Sequence, residues 1–192
     1  MEEARRQVAH IAYYVTIFSY VVSLSLSWRI WRARSSQGVP FLPLGAKIVA
    51  SYLWLLCGIE DGDPGMVVLN GTCLVLTTVN AAVHQVYSDS IEPGHLLIGA
   101  LATITCATSS MTVMELAQVA AACTSFSDVA PVARLRTYPL VEIAACDLIV
   151  RGFWAAYAML SGDEQTLARN IPGAALSIVE LNVAIWCGTM TV

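Results

Sequence analysis

The sequence predicts an all-α integral membrane protein with seven transmembrane helices in a 3+1+3 parallel-repeat arrangement. Three observations carry this expectation. The 192 residues are 57% hydrophobic and 12% charged, where a soluble domain carries about a quarter charged residues and needs them to cover its surface. At about 20 apolar residues per crossing, this length holds about six to eight helices and leaves no sizeable extramembrane domain. The third observation is an internal repeat, described below. The formal charge of −4 gives no reason to expect a nucleic-acid partner.

Hydrophobic runs and their breakers give seven segments. The first runs from about His10 to Trp28 and ends at the basic stretch Arg29–Arg34. Its apolar length exceeds a signal-peptide core. The second, Phe41 to Ile59, is closed by Glu60-Asp61-Gly62-Asp63-Pro64. The third, Met66 to Tyr87, carries no formal charge. The fourth, His95 to Met114, follows the Glu92-Pro93-Gly94 turn. Leu116 to Ala133, Leu140 to Leu160 and Ile171 to Gly188 complete the set.

The basic residues of loops 1–2 and 5–6 are Arg29, Arg32, Arg34, Arg134 and Arg136, against Arg5, Arg6 and Arg169 on the opposite side. This bias places the N-terminus outside and the C-terminus in the cytoplasm. The plasma membrane is expected over an internal one. Oligomeric state is left open, a homo-oligomer being allowed.

Six cysteines stand singly among the apolar runs, without the clustered thiols of a disulfide framework or zinc site. They read as small buried side chains. His10, His84 and His95 are isolated, and no HExxH, GxGxxG or Walker sequence occurs. No metal, no cofactor and no enzymatic activity is expected. Asn70-Gly71-Thr72 fits a glycosylation sequon but lies inside an apolar run.

Sliding the chain against itself reveals the repeat. Arg32-Ala33-Arg34-Ser35 returns as Arg134-Leu135-Arg136-Thr137, displaced by 102. Trp54, Asp63 and Asn70 then match Trp154, Asp163 and Asn170, all displaced by 100. Chance supplies isolated matches, not an ordered series. Segments one to three therefore correspond to segments five to seven, with the fourth as linker. Three is odd, so only an inserted crossing lets both halves face the same way. The expected division is 1–91 for the first bundle, 92–114 for the linker helix and 115–192 for the second bundle.

Arg34-Ser35-Ser36-Gln37-Gly38-Val39-Pro40-Phe41-Leu42-Pro43, followed by Trp54 and by Asn70-Gly71, resembles the first half of a SWEET sugar transporter. Trp154, Tyr157, Gly162-Asp163 and Asn170-Ile171-Pro172-Gly173 are similar to the family's second repeat. The resemblance covers about residues 20 to 186. It implies a uniporter that moves mono- or disaccharides down their gradient through two three-helix bundles. It also implies a sugar held near the midplane by Asn70 and Asn170, with Trp54 and Trp154 beside them. Hinge prolines would be Pro43 and, more loosely, Pro139. The prolines expected in segments one and five fall near Ser23 and Ser125, so two of the four are missing.

The residue chemistry fits a polyol on its own terms. Sugar hydroxyls both donate and accept, as an amide does. Sugar C–H faces pack on indole rings. The bland alternative makes the asparagines interhelical ties and the tryptophans packing or interface residues. The same 16-residue Trp-to-Asn spacing in both halves favours a site.

Lys47, Asp128, Glu142, Asp147, Arg151 and Glu180 fall within the expected crossings, where each should face a cavity or a partner. Lys47 and Asp147 are repeat counterparts, each seven residues before its tryptophan, about 10 Å along the axis. The expectation is a Lys47–Asp147 ion pair with Arg151 nearby, closing a cytoplasmic gate. The alternative is an i,i+4 pair of Asp147 with Arg151, leaving Lys47 to snorkel. The carboxylates also allow a proton-coupled carrier of a small polar solute, similar to PQ-loop transporters, though neither half contains a Pro-Gln pair. A non-transporting scaffold is the reading from another class. The sugar and the lipid bilayer are the expected partners.

Overall fold

The computed structural model describes residues 2–89, 112, 115, 119 and 141–190. These form five helices: α1 (Glu2–Ala33), α2 (Phe41–Glu60), α3 (Pro64–Val86), α4 (Val141–Ser161) and α5 (Glu164–Met190). Four of them, α1 to α4, are long and apolar enough to cross a membrane. The chain is a multi-pass membrane protein. Large apolar side chains point outward, among them Tyr14, Val86 and Met159, each more than 70% exposed. A bilayer covers such a surface, whereas water would not tolerate it.

Segment four, segment five, Asp128 and Pro139 lie outside the described residues, apart from a short stretch of contacts at Thr112 and Glu115. There the Thr112 amide and hydroxyl donate to the Glu115 carboxylate at 2.8 and 2.9 Å, and the Glu115 amide returns a bond to the Thr112 hydroxyl at 3.4 Å. This reciprocal T-x-x-E pair is the signature of a helix start. Glu115 and Val119 are helical.

Local chemistry fixes the helix ends. α1 is 32 residues long, about 48 Å at 1.5 Å per residue, well beyond a hydrocarbon core of about 30 Å. It begins eight residues before the apolar run, because Glu2 and Glu3 suit the positive end of the helix dipole and Arg32 suits the negative end. It stops at Arg34, whose φ of 54° is left-handed. α2 follows extended Pro40. Pro43 sits in its first turn, where a helix has orphan N–H positions anyway, so the missing donor costs nothing.

The α2–α3 and α4–α5 turns are built alike. Gly62 and Gly162 take φ of 66° and 70°, the left-handed conformation that ends a helix cheaply. The Asp63 amide then donates to the Gly58 carbonyl at 2.9 Å, and the Asp163 amide to the Ala158 carbonyl at 3.0 Å. Both aspartates cap the next helix. Asp63 accepts from the Gly65 and Met66 amides, and Asp163 from the Thr166 amide and hydroxyl. Pro64 takes the first position of α3, where its fixed φ favours the helix. The cap at Asp163 starts α5 seven residues before the expected Ile171. Pro172 consequently lies inside a helix rather than at its beginning.

Two compact units are present, and the division falls within α1. One contains residues 24–89 and the other residues 2–23 with α4 and α5. In the first, α2 packs on α3 around Leu44, Ile48, Leu53, Cys57, Leu69 and Cys73, all buried. Gly58 makes the close approach possible: a Cβ there would sit 3.0 Å from the Met66 Cβ and 3.1 Å from the Val67 nitrogen. The Ser27 hydroxyl donates to the Asn80 side-chain oxygen in this core. Buried His84 binds the Val39 carbonyl through Nε2 at 2.8 Å and meets the Phe41 ring at 5.3 Å. The segment before α2 is thereby tied to the end of α3. In the second unit, α4 packs on α5, with Ala144, Ala158 and Ser177 buried.

Candidate functional site

The residues singled out from sequence divide between the two units. Pro43, Lys47, Trp54 and Asn70 belong to the unit of α2 and α3, while Asp147, Arg151, Trp154 and Asn170 belong to that of α4 and α5.

Asn70 stands on the second turn of α3, half-buried. Its side-chain nitrogen donates to the Met66 carbonyl at 2.9 Å. Asn170, half-buried on α5, donates to the Thr166 carbonyl at 2.8 Å. A hydrogen bond back to the i−4 carbonyl fixes the amide plane and occupies one donor. The amide oxygen remains an acceptor and the second N–H a donor, the pair a sugar hydroxyl needs. Trp54 on α2 is half-buried, as are Trp154 and Lys47.

Trp154 is held by α1. Its indole N–H donates to the Thr16 hydroxyl at 3.0 Å, and that hydroxyl donates onward to the Ala12 carbonyl at 2.7 Å. The ring meets Tyr13 edge-on at 5.4 Å and 78°. It also meets Tyr157 edge-on, at 5.8 Å and 86°. Such edge-to-face contacts satisfy the ring quadrupoles, so the indole is fixed at several points. One α1 turn further, the Ser19 hydroxyl donates to the Asp147 carboxylate at 3.0 Å.

Tyr13, Thr16 and Ser19 therefore complete the α4 side of this unit, and sequence reasoning missed them. Their i, i+3, i+6 spacing put three polar groups on one α1 face, the signal that could have found them. Arg151 lies between the two anchored residues of α4, with its guanidinium against α5 at Gly173. Among the described residues, no three His, Cys, Asp or Glu side chains come together as a metal site.

Residues 6–91 match the model of a family described as "Sugar efflux transporter for intercellular exchange". No curated protein matches the chain significantly in sequence. Among solved structures, the chain is similar to a eukaryotic SWEET transporter, with a TM-score of 0.72 at 15% identity. The match covers 97% of this chain and 99% of that one. The helical hairpins, their twin glycine–aspartate turns and this likeness agree. By the sequence of its first repeat the chain is similar to that sugar-efflux family, and along its whole length it has the fold of a SWEET transporter.

Proposed function

We propose that the protein is a facilitative, bidirectional carrier of mono- or disaccharides that works by alternating access. In this reading seven crossings form a 3+1+3 array, with bundles at 1–91 and 115–192 joined by a linker helix at 92–114. Asn70 and Asn170 bind the sugar hydroxyls, and Trp54 and Trp154 pack its C–H faces. Pro43 and Pro139 serve as hinges. Lys47 and Asp147, with Arg151 nearby, close the cytoplasmic gate. The N-terminus lies outside and the C-terminus in the cytoplasm, in the plasma membrane.

One observation carries most of this. Two stretches 100 residues apart adopt the same turn, the same aspartate cap and the same asparagine hydrogen bond. Each also has a tryptophan 16 residues before its asparagine. A scaffold has no need to duplicate a polar position inside apolar helices, where each polar group carries a cost. A carrier that presents one ligand to two half-sites does.

Uptake of radiolabelled glucose and sucrose into a sugar-transport-deficient host tests this, at acidic and neutral pH, beside Asn70→Ala and Asn170→Ala. The expected result is uptake that ignores pH and disappears in either variant. Uptake that rises in acid would give the intramembrane carboxylates a coupling role. No uptake of either sugar, from protein shown to be in the membrane, would sink the sugar reading.

A further inference from the structure

Arg151 is a charge within a membrane-spanning helix, one turn after Asp147 and three residues before Trp154. Its guanidinium rests on α5. A Cβ built at Gly173 would lie 2.9 Å from Arg151 Cζ, 2.9 Å from Nε and 3.0 Å from Nη1. Any residue but glycine there would require the planar head to move off this seat. Gly173 is buried and directly follows Pro172, which lies inside α5. Proline has no N–H and its ring crowds the carbonyl four residues back, so the continuous helix gives up a backbone hydrogen bond at this point. Asn170 lies three residues before Gly173, on the same side of α5.

The repeat supplies a comparison for this contact. Subtracting 100 from Arg151 and Gly173 gives Ser51 and Cys73, both 2% exposed. The first repeat carries a small residue on its first helix and a side chain on its second. The second repeat has a large residue on α4 and none on α5. The larger side chain of each pair thus stands on the second helix in one repeat and on the first in the other.

We propose that Arg151 is a positioning residue for the second half of the site. Its guanidinium, seated on Gly173, fixes the α5 stretch around Pro172 and thereby holds Asn170 where the sugar meets it. The flat, rigid head suits this role better than an ammonium would, because it lies along backbone and offers several donors in one plane. This inference rests on the reading of Asn170 as a sugar ligand.

The test compares sugar-uptake KM and Vmax for the wild type, Arg151→Ser, Gly173→Cys and the double variant, with membrane level and thermal midpoint measured for each. The double variant gives α4 and α5 the residue pair that the first repeat already has. Either single change should raise KM about tenfold with little change in Vmax, since ligand groups displaced by about an ångström lose much of their effect. The double variant should return KM to within about threefold of wild type.

An unchanged KM in Arg151→Ser overturns the proposal. So does a double variant as poor as Arg151→Ser alone, because Arg151 would then act through its own charge. If Arg151→Ser fails to reach the membrane, Arg151→Lys serves instead, and an unchanged KM there overturns the proposal as well. Asn170→Ala separates the two levels of inference. Wild-type uptake in that variant would mean that the sugar-ligand reading itself has failed.

Discussion

Asn70 and Asn170 make the same hydrogen bond 100 residues apart, each donating its side-chain amide to the carbonyl of the preceding turn, Met66 at 2.9 Å and Thr166 at 2.8 Å. Because these bonds are local, neither asparagine is tied to a neighbouring helix through them. Replacing either by alanine removes a bond worth about 1 kcal/mol or less in a membrane. Asn70→Ala and Asn170→Ala should therefore keep near-normal thermal midpoints in detergent while sugar uptake falls to background. A large fall in midpoint with uptake retained would identify them as structural ties.

The Lys47–Asp147 gate makes a prediction of its own. Charge reversal at Lys47 puts like charge where the proposal has attraction, and should cripple uptake at normal membrane levels. The exchange Lys47→Asp with Asp147→Lys should restore part of it, since a swapped pair keeps its Coulomb energy. No rescue would remove the gate. Asp147 also accepts from Ser19, so Ser19→Ala in the exchanged background should leave the rescue intact.

The Trp154 indole N–H donates to the Thr16 hydroxyl, and Thr16→Val preserves shape while removing that acceptor. The half-buried indole N–H then lacks a bond, at a cost of about 1 kcal/mol. For a chain of this size that is a fall of about 2–4 °C in thermal midpoint. Differential scanning fluorimetry on the purified protein reads it directly. Trp154→Phe, which keeps a ring and gives up the donor, should show no further loss when combined with Thr16→Val.

The two aspartate caps should cost alike. Asp63→Ala and Asp163→Ala each free backbone amides at a helix start, worth about 1 kcal/mol apiece. They stand in different units of the molecule, so their effects should add within about 0.5 kcal/mol in chemical denaturation. A double variant no worse than either single would mean that one cap is already dispensable.

Glu115 gives the pH dependence. The Thr112 backbone amide, and then its hydroxyl, hold the Glu115 carboxyl below the usual carboxylate range. Its folded pKa is thus depressed, so the stability it contributes is present above the unfolded pKa and is lost as pH falls through the folded value. Glu115→Gln should match the wild type in strong acid and fall below it near neutrality. Hydrogen exchange at the Val119 amide, compared between the two proteins at each pH, checks the sign.

The hairpins were legible because their punctuation is local. Glu60 to Pro64 announces a turn, and α2 and α3 begin and end within about two residues of their hydrophobic runs. α1 and α5 were less so. Hydropathy discounts Glu2 to Ala9 and Glu164 to Asn170, but polar residues continue a helix readily once a cap or an apolar turn has nucleated it. Asp163 with Thr166 was the overlooked start signal for α5.

The Trp-to-Asn spacing survived into structure because it depends only on chain length between repeated turns. The partnership of Tyr13, Thr16 and Ser19 with α4 was not legible. It joins residues up to 138 apart in sequence, and nothing local distinguishes a polar face that meets a helix from one that meets lipid. Arg151 could be seen as an intramembrane charge, but its seat on Gly173 exists only once α4 and α5 cross.

The twin turns bear on how the protein is made as well as on how it works. Each joins two long helices through so few residues that neither helix of a pair can be stranded on one side of the bilayer while the other crosses. In the α2–α3 hairpin both helices are long and apolar enough to cross a membrane, so the orientation of one sets that of the other. The acidic tip at Glu60–Asp63 then shares the fate of both its flanking helices. A positive charge grafted onto one tip would consequently act on two helices at a stroke, turning a local edit into an inverted hairpin.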